Sequence, residues 1–299
     1  MKNIKERALQ LGYSTCGIIP AEALDGYAEQ VSNSIKSFPN SAEMYERLYR
    51  RIVLSEPKKS IIVCARGYGH YKVPVSLRGR FGKFYLFHGH IEYSDAYRAK
   101  QEFTDYLQGI GLRIIKSAPP ARWVAAKAGI GQFGWNNFIY TQEHGSYVAL
   151  DTWVIDGELE YDTPSENHIS HNCNDSFRKC IKACPTNALS DSLKVDWGKC
   201  ITHLMYRDDV SGLEQKQMGQ WLYGCDVCQD VCPMNRGKLT QHTDFPRLAE
   251  YEQHLTLEAI LTMGEDTYTN IVYPRFWFAG KNGLSTWKRN AQRATENLT

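Results

Sequence analysis

Apolar and polar residues alternate along this chain with periods that predict most of its elements. Residues 2–11 carry an apolar stripe at Ile4, Ala8, Leu9 and Leu11, the spacing of one helix face. Residues 14–19 form a short apolar run of strand length, and Pro20 opens a second helix through Ala28 to Ile35. A helix with acidic and basic faces is expected over 42–51. The run SIIVCA at 60–65 is strand-like and apolar throughout, as in a strand covered on both faces, so Cys64, like Cys16 before it, reads as a core residue. Helical spacing returns at 93–107, strand composition at 112–116, a helix at 121–128 and a β-branched, aromatic strand at 145–155. Beyond residue 233 the pattern is helical again, clearest at 255–263 and 285–298.

Two stretches break the periodicity. Residues 67–90 are rich in Gly, Tyr, Arg and His without a period, which predicts a loop of the kind that lines a site. Residues 162–171 are polar and contain Pro, Ser and Asn, which makes them the expected linker. The expected organisation is an α+β or α/β protein. An N-terminal α/β domain spans 1–165, a second, cysteine-rich domain 166–240, and a short helical segment 241–299.

Composition narrows the class. Hydrophobic residues at 42% and charged residues at 23% describe a water-soluble globular chain, and 299 residues suffice for one large or two ordinary cores. A net charge of +2 gives no general field favouring nucleic acid or an anionic membrane. The N-terminus lacks the apolar centre of a signal peptide, and no apolar run approaches the roughly 20 residues that span a bilayer. A cytoplasmic, membrane-free location follows. The basic residues Lys281, Lys288, Arg289 and Arg293 suit either a solvated helix face or contact with RNA phosphate, the former being the plainer reading.

The chemistry sits in the cysteines. Seven of nine fall between 173 and 232, in CNDSFRKCIKACP (173–185), Cys200 and CDVCQDVCP (225–233). Cys184 and Cys232 each precede a proline and follow another cysteine by four positions, a doubled pattern of ferredoxin-type iron–sulfur ligation. Disulfides would need an oxidising compartment, and a zinc ribbon would need two short Cys-x-x-Cys knuckles where only Cys225 and Cys228 form one. Neither explains the prolines. In two-cluster ferredoxins the cysteine before proline ligates the other cube. On that logic one [4Fe-4S] cluster takes Cys184, Cys200, Cys225 and Cys228. A second takes Cys180 and Cys232, with Cys173 as a third ligand. The register positions for further cysteines fall on Asn174 and Phe177, so the fourth ligand is left open between His171, Asp175 and a non-protein ligand, and a three-iron cube or loss of the cluster are alternatives.

Gly129, Gly131 and Gly134 spell GxGxxG, but a helix precedes the motif and a turn follows, the reverse of a dinucleotide-binding strand–turn–helix. A glycine loop that lets backbone approach a bulky ligand fits better.

The run SAPPARWVAAKAGIGQFGWNN (117–137), with ACPTNAL (183–189), Cys200, YGCDVCQDVCPMNR (223–236) and, weakly, WKRNAQRA (287–294), resembles the epoxyqueuosine reductase family, cobalamin- and iron–sulfur-dependent enzymes related to reductive dehalogenases. The resemblance implies an N-terminal domain that binds base-off cobalamin, a domain with two [4Fe-4S] clusters, an external flavodoxin- or ferredoxin-type electron donor, and tRNA carrying epoxyqueuosine at the wobble position as substrate. It places Gly129, Gly131, Gly134 and Asn136 against the corrin. The family's acid, an aspartate just before the Ser-x-Pro segment, falls on Lys116, and the lysine of its Gly-Lys-Asn falls on Trp135. Lys116, Tyr85, His88 and His90 are the proton-donor candidates by location. Because the changes gather at one site, a non-catalytic or electron-transfer relative with one or two clusters is the alternative to an active reductase.

Overall fold

The computed structural model describes residues 4–50, 59–88, 91–166, 168–170, 173, 178–190, 194–276 and 279–298. Its first layer is α1 (Ile4–Gln10), followed by β1 (Thr15–Pro20), α2 (Tyr27–Ser37), α3 (Ala42–Arg50) and β2 (Ser60–Gly67). The helix expected from Pro20 is split: a 3₁₀ turn over Ala21–Leu24 precedes α2, which starts after Gly26 in a left-handed conformation. After β2 come α4 (Lys83–Phe87), α5 (Asp95–Gly109), β3 (Ile114–Ile115), α6 (Ala121–Lys127), the hairpin strands β4 (Gln132–Phe133) and β5 (Ile139–Tyr140), and β6 (Val148–Ile155).

The main sheet has the order β1-β2-β6-β3, and every pair is antiparallel. The α+β form of the expectation is therefore the one realised. Because side chains alternate across a strand, β2 sends Ile61 and Val63 to one face and Ile62 and Cys64 to the other. The first set packs with Ile19, Val154 and the alanines of α6. The second packs with Cys16, Trp153, Ala8 of α1 and Phe103 and Leu107 of α5. Two covered faces explain why 60–65 reads as an unbroken apolar run. Ser94 starts α5 by accepting a hydrogen bond from the Tyr97 amide at 3.0 Å.

The segment expected as a linker is tied down at several points. The Asp162 carboxylate accepts from the Ile18 amide at 2.8 Å and pairs with Lys5, and backbone bonds join Ser165 to Lys127 and His168 and Ser170 to Phe133. It runs as a strap across β1, α6 and β4. Residues 67–88 are mostly irregular, as expected, and Tyr68, Phe84 and Tyr85 line a cavity, but the segment is also a core element. Tyr68, Tyr71, Leu77, Phe81, Leu86 and Phe87 are buried in the largest core, together with residues 201–223 and 245–294. The anchors come from irregular backbone and two short helical turns, Val75–Leu77 and α4, too short to leave a period to detect.

Downstream lie α7 (Lys179–Ala183), α8 (Ile201–Leu204), α9 (Gly212–Gln217), α10 (Val227–Asp230), α11 (Leu248–Glu252), α12 (Leu257–Thr262), α13 (Glu265–Thr267) and α14 (Leu284–Glu296). No helix among the described residues is long and apolar enough to cross a membrane. Helix α14 is a core element. Its Trp287 contacts the rings of Phe81, Tyr223 and Phe276 at centroid distances of 5.8, 5.5 and 5.2 Å. Arg293 on the same helix is buried and donates to the carbonyls of Gly219 and Trp221, while Arg289 pairs with Asp208. These two arginines hold α14 in place, and Lys281 is the exposed member of the basic group. Replacing Trp287 with Ala should lower unfolding free energy by about 3–5 kcal/mol and speed amide exchange in residues 81–87. Unchanged exchange there would show that α14 packs independently.

Candidate functional site

The two Cys-Pro segments have the same local design. Cys184 follows α7 and Cys232 follows α10 by two residues, and both have extended backbone (ψ 112° and 124°). The following proline enforces that conformation, because its ring clashes with a helical predecessor. Each short helix is thus stopped with its cysteine turned out of the helical path. α7 and α10 pack against each other, which brings the two segments side by side.

Side chains from these segments line two cavities. Cys184, Cys200, Cys225 and Cys228 all border one of about 380 Å³, with Tyr85 and Asn136 on its wall. Cys173, Cys180 and Cys232 border another of about 260 Å³, with Trp135, Asn136, Tyr140, Pro233 and Met234. All nine cysteines are free thiols, and Cys16 and Cys64 face each other across β1 and β2, away from both cavities. Among the described residues, no three His, Cys, Asp or Glu side chains are close enough to grip a single metal ion. The thiols surround spaces instead. Burial is the main cause that pushes Cys200 and Cys180 up to about 11, and the nearby thiols Cys184 (for Cys200) and Cys232 and Cys173 (for Cys180) add to it. Cys225 and Cys228 are raised by the same cause. Backbone amides already point at sulfur: Ala188 N–H at Cys184 Sγ (3.3 Å) and Trp135 N–H at Cys173 Sγ (3.4 Å).

Asn136 forms the partition between the cavities. It is buried, lines both, and its Nδ2 donates to the Tyr140 hydroxyl at 2.9 Å and to the Cys228 carbonyl at 3.1 Å. Tyr140 and Met234 in turn line both the three-cysteine cavity and a third, open cleft of about 970 Å³. Four-cysteine cavity, three-cysteine cavity and cleft therefore lie in a row, each sharing lining residues with the next. Trp135 lines the middle cavity, with the Arg178 guanidinium 4.7 Å over its ring.

The cysteine loop 225–235 is fixed by a polar network that sequence reasoning passed over. Asp226 is buried and accepts from the Lys83 backbone N–H at 2.7 Å and the Lys83 ammonium at 3.2 Å. Lys83 also reaches Asp230 at 2.6 Å. Gln229 Nε2 donates to Asp226 at 3.0 Å and its Oε1 accepts from Ser146 Oγ at 2.9 Å, while Asn235 Nδ2 donates to Ser146 Oγ and the Gln229 carbonyl, both at 2.8 Å. The signal was present as polar residues alternating with the cysteines, but their partners lie some 80 to 150 positions upstream.

The glycine loop has reasons of its own. Gly129 (φ 69°) ends α6, with its N–H on the Ala126 carbonyl and the Ile130 N–H on the Ala125 carbonyl, a left-handed helix stop. A Cβ on Gly131 or Gly134 would meet Tyr140, at 3.0 Å from its carbonyl oxygen and 2.5 Å from its ring respectively. The missing side chains of these two make room for β5. Gly129 and Gly131 nevertheless line the cleft, beside Gln132, Thr141, Gln142 and Glu143. Asn136 lies inside, between the cysteine cavities, and does not line the cleft.

Of the proton-donor candidates, Lys116 is exposed and lines none of these cavities. Tyr85 lies on the wall of the four-cysteine cavity, its ring packed edge-on against Tyr223. His88 is buried with Nε2 2.9 Å from the Arg275 carbonyl. His90, His171, Asn174, Asp175 and Phe177 lie outside the described residues. A separate aromatic cavity of about 430 Å³, lined by Tyr27, Tyr45, Trp123, His168 and Trp197, opens beside the Pro119–Pro120 loop.

Residues 172–235 match the model of a 4Fe-4S double cluster binding domain. The epoxyqueuosine reductase of Cellulophaga algicola is 31% identical over 249 residues, covering 78% of either chain. The chain belongs to the epoxyqueuosine reductase family. Its fold agrees with that of solved members. A structure of the Bacillus subtilis epoxyqueuosine reductase, with its catalytic aspartate loop swung out of the active site, superposes with a TM-score of 0.76 at 26% identity over 98% of this chain and 80% of that one. A member crystallised with an epoxyqueuosine-modified tRNA stem loop gives 0.74 at 25% identity, with the same coverage. Epoxyqueuosine reductases are oxidoreductases, and in this chain the iron–sulfur segment is the one that builds both cysteine cavities.

Lys83→Met would leave Asp226 buried beside the cysteine loop without its cation. Denaturant unfolding should show a loss of about 3–5 kcal/mol, most of it recovered in Lys83→Met/Asp226→Asn. A single variant as stable as the parent would remove the ion pair from the account.

Proposed function

We propose that this chain is an iron–sulfur reductase that works on an epoxide-bearing modified base in tRNA, with a corrinoid in the cleft and electrons drawn from a flavodoxin- or ferredoxin-type donor in a reducing cytoplasm. The observation that carries this reading is the row formed by the four-cysteine cavity, the three-cysteine cavity and the open cleft.

The residues present suit the groups they would hold. Cys184, Cys200, Cys225 and Cys228 would supply all four thiolates of one [4Fe-4S] cube. Cys173, Cys180 and Cys232 would hold three corners of a second. Thiolate is the soft donor that such cubes require, and amides directed at sulfur adjust their potential. The cleft offers room, and its rim of Gln132, Gln142, Thr141 and Ser170 matches the amide fringe of a corrin. Bound together, these groups supply one-electron carriage and a strongly reducing cobalt centre.

The protein's own contribution is positional. Asn136 fixes the Cys228 carbonyl and the Tyr140 hydroxyl, and so sets the wall between the two cysteine sites. Trp135, with Arg178 over its ring, lines the middle cavity. Proton delivery differs from the family pattern. Lys116, exposed on its loop, takes the place of the family's aspartate, while Ser117 beside it has a buried hydroxyl with no hydrogen-bond partner. We assign Lys116 the aspartate's role at a lower rate, because its side chain is exposed and lines none of the cavities.

In a strain lacking its own epoxyqueuosine reductase, the chain should restore queuosine in tRNA nucleosides. Lys116→Asp should raise turnover by about 10²-fold, the lower end of what a well-placed general acid contributes. Epoxyqueuosine that persists with both proteins, when clusters and corrinoid are present, would replace this reading with the electron-transfer alternative.

A further inference from the structure

The supply of sulfur in this chain is unequal. Of nine cysteines, Cys16 and Cys64 sit face to face in the sheet and pack against Tyr13, Phe103 and Trp153. Four more line the larger cavity, which leaves Cys173, Cys180 and Cys232 for the smaller. No redistribution can yield a fourth thiolate there. Among the described residues, the remaining polar side chains on that lining are engaged, His171 and Asp175 lying outside them: Asn136 donates to Tyr140 and the Cys228 carbonyl and accepts from the Phe138 amide at 3.3 Å. Met234, a thioether, already accepts the Ser170 hydroxyl at 3.4 Å. The cavity abuts the open cleft, with Tyr140 and Met234 lining both.

We propose that the smaller cavity holds a four-iron cube by three thiolates, with its fourth iron bearing an exchangeable ligand drawn from solution: water or hydroxide at rest, displaced by a small soft anion such as cyanide. This rests on the two-cluster reading above. A site of this kind has a distinct chemistry. A one-electron oxidant converts [4Fe-4S]²⁺ to [3Fe-4S]⁺ with release of Fe²⁺; the electron lost goes to the oxidant, and the thiolates stay in place. The four-thiolate cube has no such weak corner.

The test uses the full chain, reconstituted anaerobically with iron and sulfide and then treated with ferricyanide, which is reduced to ferrocyanide. About eight irons per chain should bind, about one should be released, and the EPR signal of an oxidised three-iron cube should appear, a state the intact oxidised four-iron cube does not share. Fe²⁺ and a reductant should reverse the change. Eight irons that all resist release, as they would if a protein side chain holds the fourth iron, overturn this proposal and leave the two-cluster reading intact. About four irons from the outset overturn the two-cluster reading itself. In Cys180→Ser protein the releasable iron and its signal should vanish while the other cube stays; their persistence would assign the weak corner to the four-cysteine site and sink the proposal.

Discussion

Seven reduced thiols packed around two small spaces are the constraint on which the rest depends. Burial pushes up the thiols of Cys180, Cys200, Cys225 and Cys228, and neighbouring thiols add to the effect. A bound group with concentrated positive charge would oppose that effect, and ligands of such a group must lose their protons as it binds. The two prolines make the arrangement possible. They stop α7 and α10 at the residue where each cysteine has to leave the helix.

Thiols so placed would be misdirected by small backbone shifts, and the surrounding structure is built to prevent them. Asn235, Gln229 and Asp226 tie the second cysteine loop to Ser146, just ahead of β6, and to Lys83 at the start of α4. The loop is thereby fixed both to the antiparallel sheet and to the large aromatic core. Asn136 joins these supports from the hairpin side. Near the site Lys83 lies between two carboxylates, Asp226 and Asp230, and Arg178 stacks over Trp135. Such second-layer contacts govern cluster potential as much as the ligands do.

Much of this was legible in the sequence, for identifiable reasons. A strand buried on both faces writes an unbroken apolar run, as at 60–65, and ferredoxin-type ligation writes its prolines next to its cysteines. The rest depended on partners far apart in the chain. Residues 67–90 looked like a loop because Tyr71, Leu77 and Phe81 enter the core singly, against helices some 150 to 220 positions later. Arg293 looked like a surface base, yet it satisfies two backbone carbonyls inside the core. Asn136 was read with the glycines as part of a corrin-facing loop; its contacts show it between the cysteine cavities, a placement that only the meeting of β5 with the 225–235 loop creates.

The central claim is that these seven sulfurs enclose two inorganic cubes. Anomalous diffraction at the iron edge, from crystals grown without oxygen, tests it most directly. It should reveal two compact iron peaks, one enclosed by Cys184, Cys200, Cys225 and Cys228 and the other by Cys173, Cys180 and Cys232. A single peak, a zinc edge in place of iron, or disulfides bridging any of these cysteines would contradict it.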